Sequence, residues 1–167
     1  MGAEPTPDEV VIAEESPLSA DARMLDQEMA AFTEQTYPED AAIGNIALTV
    51  EEMARTGRFV VARIGGAPAG CGAVVKHDDV DGQRVMEARR MYVRAAFRGR
   101  RVAERVLSRL EAIAADEGAA RVILLCGPRQ PSALQLYARC GYRERAAFGA
   151  YRTHPLNIFL EKTLVVS

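Results

Sequence analysis

The densest chemistry in this sequence is the run Met91-Tyr92-Val93-Arg94-Ala95-Ala96-Phe97-Arg98-Gly99-Arg100-Arg101-Val102-Ala103. It opens as a strand, passes through a basic turn with one glycine, and becomes a helix. Such a turn gathers backbone N–H groups and positive charge at a helix N-terminus, which is what a phosphate group requires. Arginine surrounds it: Arg89, Arg90, Arg94, Arg98, Arg100, Arg101, Arg105 and Arg109 are eight of the 21 basic residues in the chain. On a chain of net charge −2, one concentrated basic patch points to a compact anionic ligand rather than a long polyanion. Taken alone, the same turn also reads as an ordinary basic surface turn capping a helix.

The other reactive side chains form no recognisable motif. The three cysteines, Cys71, Cys126 and Cys140, have no paired spacing. Neither a disulfide framework nor a thiolate metal site is expected, and a reducing, cytoplasmic setting is. His77 and His154 are the only histidines, too few for a His-rich metal site, and neither stands in a motif that activates a cysteine. Packing is the expected role of Cys126 and Cys140. Hydrophobic residues make up 49% of the 167 residues, enough for a core. No apolar run of about 18 residues suggests a membrane span. The acidic, proline-punctuated start lacks the basic and apolar stretches of a signal peptide. Nucleic acid is not an expected partner, given the overall acidity and the lack of aromatics interleaved with the arginines.

The elements that must position the turn follow from periodicity and punctuation. Residues 1–7 read as a disordered lead-in, and Glu9–Glu14 as a short strand. Ser19 caps a helix with Asp21 in its first turn, and Leu25, Met29 and Phe32 recur on one face. Thr36–Asp40 closes that helix and opens a loop to about Leu48. Thr49 and Glu52 form a capping-box pair for a second short helix ended by Gly57. Phe59–Ile64, Ala69–Lys76 and Gln83–Val93 then read as an antiparallel meander, turned at Gly65-Gly66 and at Asp78–Gly82. Val102, Val106, Leu107, Leu110, Ile113 and Ala114 repeat at helical spacing up to Gly118. Arg121–Cys126 reads as a strand buried on both faces. Ser132–Cys140 is a short helix, and Tyr142–Ala147 and Ile158–Val166 are the last strands. No repeat or linker is visible, so residues 1–167 are expected to form one mixed α/β domain with a β-α-β crossover.

With these elements in order, the sequence resembles the GCN5-related N-acetyltransferase superfamily. The signature of that superfamily is Gln/Arg-x-x-Gly-x-Gly/Ala at a strand-to-helix turn, here Arg98-Gly99-Arg100-Arg101-Val102-Ala103. Its second hallmark is Leu-Tyr-x-x-x-Gly-Tyr/Phe, here Leu136-Tyr137-Ala138-Arg139-Cys140-Gly141-Tyr142. The likeness spans roughly residues 8–165. It implies a central mixed, mostly antiparallel twisted sheet of about six to seven strands flanked by about four helices. It also implies acetyl-CoA as cosubstrate and no metal. One departure stands out: Arg101 replaces the usual central glycine, which lets the backbone approach the pyrophosphate. Gly99 and the small Ala103 are retained.

The resemblance assigns roles residue by residue. Arg98, Gly99, Arg100, Arg101, Val102 and Ala103 would hold the cofactor's phosphates. The backbone of Met91 and Val93, on a strand splayed from its neighbour, would hold the pantetheine arm and the acetyl oxygen. Gln130 stands where many relatives carry an asparagine that bonds that arm. Tyr137 would protonate the departing thiolate; by itself it reads as a core tyrosine. Strand alternation puts Glu87, Arg89, Met91 and Val93 on one face, which makes Glu87 the preferred general base, its pKa raised by partial burial. Glu87 also reads as a partner of a neighbouring arginine. The acceptor, a small-molecule or peptide amine, would meet the first helix pair, the loop from Thr36 to Leu48, and the turn before the last strand. Glu34, Glu39 and Asp40 could attract its ammonium, and Phe148–Asn157 would overhang it. The expected activity is direct acetyl transfer in a ternary complex by a monomer or homodimer. A non-catalytic acyl-CoA-binding regulatory module is the alternative.

Overall fold

The structure is a computed structural model and describes residues 2–3, 6, 8–38, 49–148 and 157–165. Its elements in chain order are β1 (Val10–Glu14), α1 (Ala20–Thr36), α2 (Val50–Thr56), β2 (Gly57–Ile64), β3 (Ala67–Val80) and β4 (Gln83–Val93). After a 3₁₀ turn at Ala95–Phe97 come α3 (Val102–Asp116), β5 (Arg121–Cys126), α4 (Pro131–Arg139), β6 (Arg143–Arg145) and β7 (Ile158–Thr163). The strands form one seven-stranded sheet in the order β1-β2-β3-β4-β5-β7-β6. Every neighbouring pair is antiparallel except β4–β5, which α3 joins as a parallel crossover.

Local chemistry accounts for most of these boundaries. Ser19 Oγ accepts from the Ala22 N–H at 3.2 Å and starts α1. Thr49 and Glu52 form the reciprocal capping box that starts α2, satisfying two backbone donors that the helix itself cannot. Gly65 and Gly66, with φ of 59° and 80°, make a two-residue hairpin whose left-handed residues match strand twist. Asp81 and Gly82, with φ of 53° and 74°, do the same for the next hairpin. That turn is tighter than the Asp78–Gly82 span expected from sequence, because β3 continues through Val80. The last two strands are shorter than expected, at three and six residues.

Two apolar layers cover the sheet. On one face α3 buries Val106, Leu107, Leu110, Ile113 and Ala114 against Val60, Val74, Met86 and Val122, with Leu136, Tyr137 and Tyr142 completing the cluster. On the other face Ala22 and Leu25 of α1 and Met53 of α2 pack on Phe59, Val61, Cys71, Ala73 and Val75. Gly72 decides how closely α3 approaches. A Cβ there would lie 2.7 Å from a Val106 methyl, 2.8 Å from Met91 Sδ and 3.0 Å from a Leu110 methyl.

Candidate active site

The site begins where two strands part. β4 and β5 are paired at Val85–Arg121, Met86–Val122 and Glu87–Ile123. Beyond that row β4 runs on to Val93 and β5 to Cys126 without pairing to each other. A wedge therefore opens above Glu87 and Ile123, and the backbone edge of β4 along it is left without its ladder partner. The splay implied for this strand is present, and Glu87, 4% exposed, stands at its vertex.

The alternation expected along β4 does not hold. Arg90 has a φ of 54°, and the β3–β4 register shifts between Cys71 and Ala73. Two residues of β4 thus oppose the single Gly72, which is a β-bulge. Each strand residue points opposite to its neighbour, so one extra residue reverses the sides. Below the bulge Met86 and Ala88 face α3; above it Met91 and Val93 do. Glu87 follows Val85 and pairs with Val75, residues of the opposite face. Glu87 and Arg89 therefore lie on the α1 side, not on the face of Met91 and Val93. Nothing in the residue types signals the bulge, since a left-handed arginine is rare.

The basic turn follows the 3₁₀ turn. Gly99 has a φ of 80°, and Arg101, with φ 60° and ψ 25°, is the N-cap of α3. Arg101 occupies the left-handed conformation that glycine adopts without cost, so the departure from the signature keeps the turn and strains one residue. The Arg101 side chain does not cap α3, and a helix N-terminus of this kind offers its first N–H groups to an anion. Not every arginine points at them. Arg98 lies over the Phe32 ring, its Cζ 5.7 Å from the centroid, and Arg100 over Phe97 at 5.9 Å. Relief of the strain is measurable: Arg101→Gly is expected to leave α3 intact and stabilise the protein by up to about 1 kcal/mol. Thermal melting checks this, and a lowered Tm would show that the arginine contributes more than its backbone costs.

Across the wedge α4 begins at Pro131 with Gln130 as N-cap, and the Gln130 side chain makes no capping bond. The second motif has a structural basis. Gly141, with φ 94°, lets the chain reverse after α4. The Tyr142 N–H then bonds the Tyr137 carbonyl at 2.9 Å, and the Tyr142 ring meets Tyr137 edge-on at 5.7 Å. The Tyr142 hydroxyl donates to Glu111 at 2.8 Å. Tyr137 is thereby locked at 7% exposure. Burial, then the nearby Cys126 and Cys140, push its phenol pKa up. Burial also lifts the Cys71 thiol to about 12 and the Cys126 thiol to about 11. At neutral pH neither is a thiolate, which for Cys126 agrees with the packing role expected from sequence.

Several residues at the mouth went unnoticed in the sequence. Asp26 of α1 pairs with Arg90, and Glu28 bonds Arg94 Nε at 3.0 Å and the Tyr92 hydroxyl at 3.4 Å. Tyr37 caps the end of α1, and its hydroxyl accepts the Arg129 N–H at 2.9 Å. Its ring fills the space a Cβ would take on Gly127. Glycine before Pro128 was the available signal. Of the expected acceptor-side residues, Glu34 is exposed at the end of α1. Glu39, Asp40 and residues 149–156 lie outside the described residues. Phe148 is buried edge-on against Phe159 at 5.1 Å and His77 at 5.5 Å. Among the described residues no group of three His, Cys, Asp or Glu side chains is placed to hold a metal ion, and no helix is long and apolar enough to cross a membrane.

A splayed parallel pair followed by an uncapped basic turn can be compared with known proteins. Residues 22–142 match the model of the Acetyltransferase (GNAT) family. The chain belongs to the GNAT family. This GNAT protein is 35% identical over 156 residues to an IAA acetyltransferase of Azospirillum brasilense, across 93% of this chain and 98% of the relative. A solved structure from Klebsiella pneumoniae, provisionally called an acyl-CoA N-acyltransferase, superposes with a TM-score of 0.75 at 29% identity, over 93% of this chain and 98% of that one. A Bacillus subtilis acetyltransferase in complex with CoA shares the fold, with a TM-score of 0.66 at 16% identity over 94% and 100% of the two chains. As a GNAT member the protein is an acetyl-CoA-dependent N-acyltransferase. Acetyl-CoA is its acyl donor.

Proposed function

We propose that this acetyltransferase moves the acetyl group to a primary amine of a small molecule or peptide, by direct attack within a ternary complex. The observation that carries the reading is the placement of Glu87 and Tyr137 on opposite sides of the splayed β4. The amine approaches from the α1 side, where Glu87 takes a proton from the ammonium. Its nitrogen attacks the thioester carbon while backbone groups of Met91 and Val93 hold the acyl arm. The C–S bond then breaks toward the α3–α4 side, and Tyr137 gives the thiolate its proton. The second proton leaves the nitrogen as the amide forms and balances the one that Tyr137 gave. Arg98–Ala103 anchor the phosphates throughout, and Gln130, with its side chain unused in capping, meets the pantetheine arm.

Turnover of acetyl-CoA on a panel of small amines, amino acids and peptides, read as free thiol, tests the proposal. The panel also includes IAA, because the Azospirillum relative is called an IAA acetyltransferase. Expected is thiol release with at least one primary amine and a matching N-acetyl product by mass. Acetylation confined to oxygen acceptors would overturn it. Calorimetry should show about one acetyl-CoA bound per chain.

A further inference from the structure

The free edge of β4 is held in place from α1. Past Glu87 the strand has lost β5, and at Gly72 its ladder with β3 is interrupted by the bulge. The bulge depends on Arg90 keeping a left-handed backbone, which costs free energy in any residue with a Cβ. Among the described contacts, two oppose its relaxation. The Cys71 thiol donates to the Arg90 carbonyl at 3.4 Å, and the Arg90 guanidinium is ion-paired with Asp26. That pair is partly shielded, with side-chain exposures of 17% for Arg90 and 31% for Asp26, so it holds its geometry better than a pair in open water. Two residues further along α1, Glu28 adds bonds to Tyr92 and Arg94.

We propose that Asp26 is a positioning residue for acetyl transfer. By fixing Arg90 in the bulge it sets which way the backbone of Met91 and Val93 faces, and so where the acetyl carbonyl is held. It touches neither substrate nor cofactor. The inference rests on the reading that this backbone binds the acyl arm. A small misplacement of such a contact has a large effect on rate. Glycine at position 90 would hold the same backbone without help, so the role of Asp26 should vanish in that background.

The test compares wild type, Asp26→Asn, Arg90→Gly and the double variant. Calorimetry with CoA and with acetyl-CoA separates the phosphate anchor from the acyl contact and needs no acceptor. Asp26→Asn is expected to weaken acetyl-CoA about tenfold and to lower kcat by about as much, with CoA affinity within about twofold. In the Arg90→Gly background the same change should alter acetyl-CoA affinity and kcat by less than about twofold. Unchanged affinity and kcat in Asp26→Asn, or an equal loss in both backgrounds, would overturn the role. If Asp26→Asn fails to fold, the folded double variant decides: wild-type preference for acetyl-CoA over CoA supports the proposal, and a lost preference sinks it. A wild type that binds neither ligand refutes the cofactor reading itself and is a separate outcome.

Discussion

Replacing Tyr137 with phenylalanine is expected to lower kcat by about 10²–10³-fold, the range of a positioned general acid, while the Kd for acetyl-CoA stays within about threefold. The hydroxyl makes no hydrogen bond to the described residues, so its removal orphans no partner there and the fold should tolerate it. The packing of the ring against Tyr142 is kept. The sign of the pH effect follows from burial, which favours the neutral phenol and moves its pKa up. The acid therefore remains protonated at and above the pH at which a free tyrosine begins to ionise. The wild-type rate should hold through about pH 10, without a fall from loss of this proton. Steady-state kinetics from neutral to alkaline pH, beside melting curves of both proteins, check each part. Unchanged turnover in Tyr137→Phe would remove it as the acid.

The second large effect concerns Glu87. Glu87→Gln keeps the size and most hydrogen-bonding capacity of a side chain that is 4% exposed but cannot take a proton. A loss of about 10²-fold in kcat/KM is expected near neutral pH. The deficit should be greatest at low pH, where the acceptor is an ammonium and needs a base. It should shrink as the pH rises toward the acceptor's own pKa and free amine supplies itself. A deficit independent of pH would place the base elsewhere and leave Glu87 a buried structural carboxylate. Because Glu87 lies on the α1 side, substitutions along α1 should change KM for the acceptor more than the affinity for CoA.

The two faces of β4 show why part of this site was readable from sequence and part was not. Local chemistry made the turn at Arg98–Ala103 legible: a glycine, a cluster of arginines and an apolar helix pattern sit within a few residues of one another. The capping box at Thr49 and Glu52, the glycine hairpin at Gly65-Gly66 and the span of β5 were legible for the same reason. Tyr137 was found through a short motif whose glycine and second tyrosine lock it in place. All these signals act over one to six residues, where covalent geometry and propensity dominate.

What the sequence by itself determined, then, is an inventory of the described residues: seven strands, four helices and the basic turn, beside the two residues proposed to move protons. Tertiary structure alone decided their arrangement. Whether Glu87 shares a face with Met91 and Val93 depends on one residue, Arg90, adopting a backbone that its type disfavours. Opposite it stands Gly72, where a Cβ would meet Met91 Sδ at 2.8 Å, and its guanidinium pairs with Asp26, 64 positions away. Contacts between distant positions carry no mark in a local pattern, and a single added residue in a strand reverses every side chain beyond it.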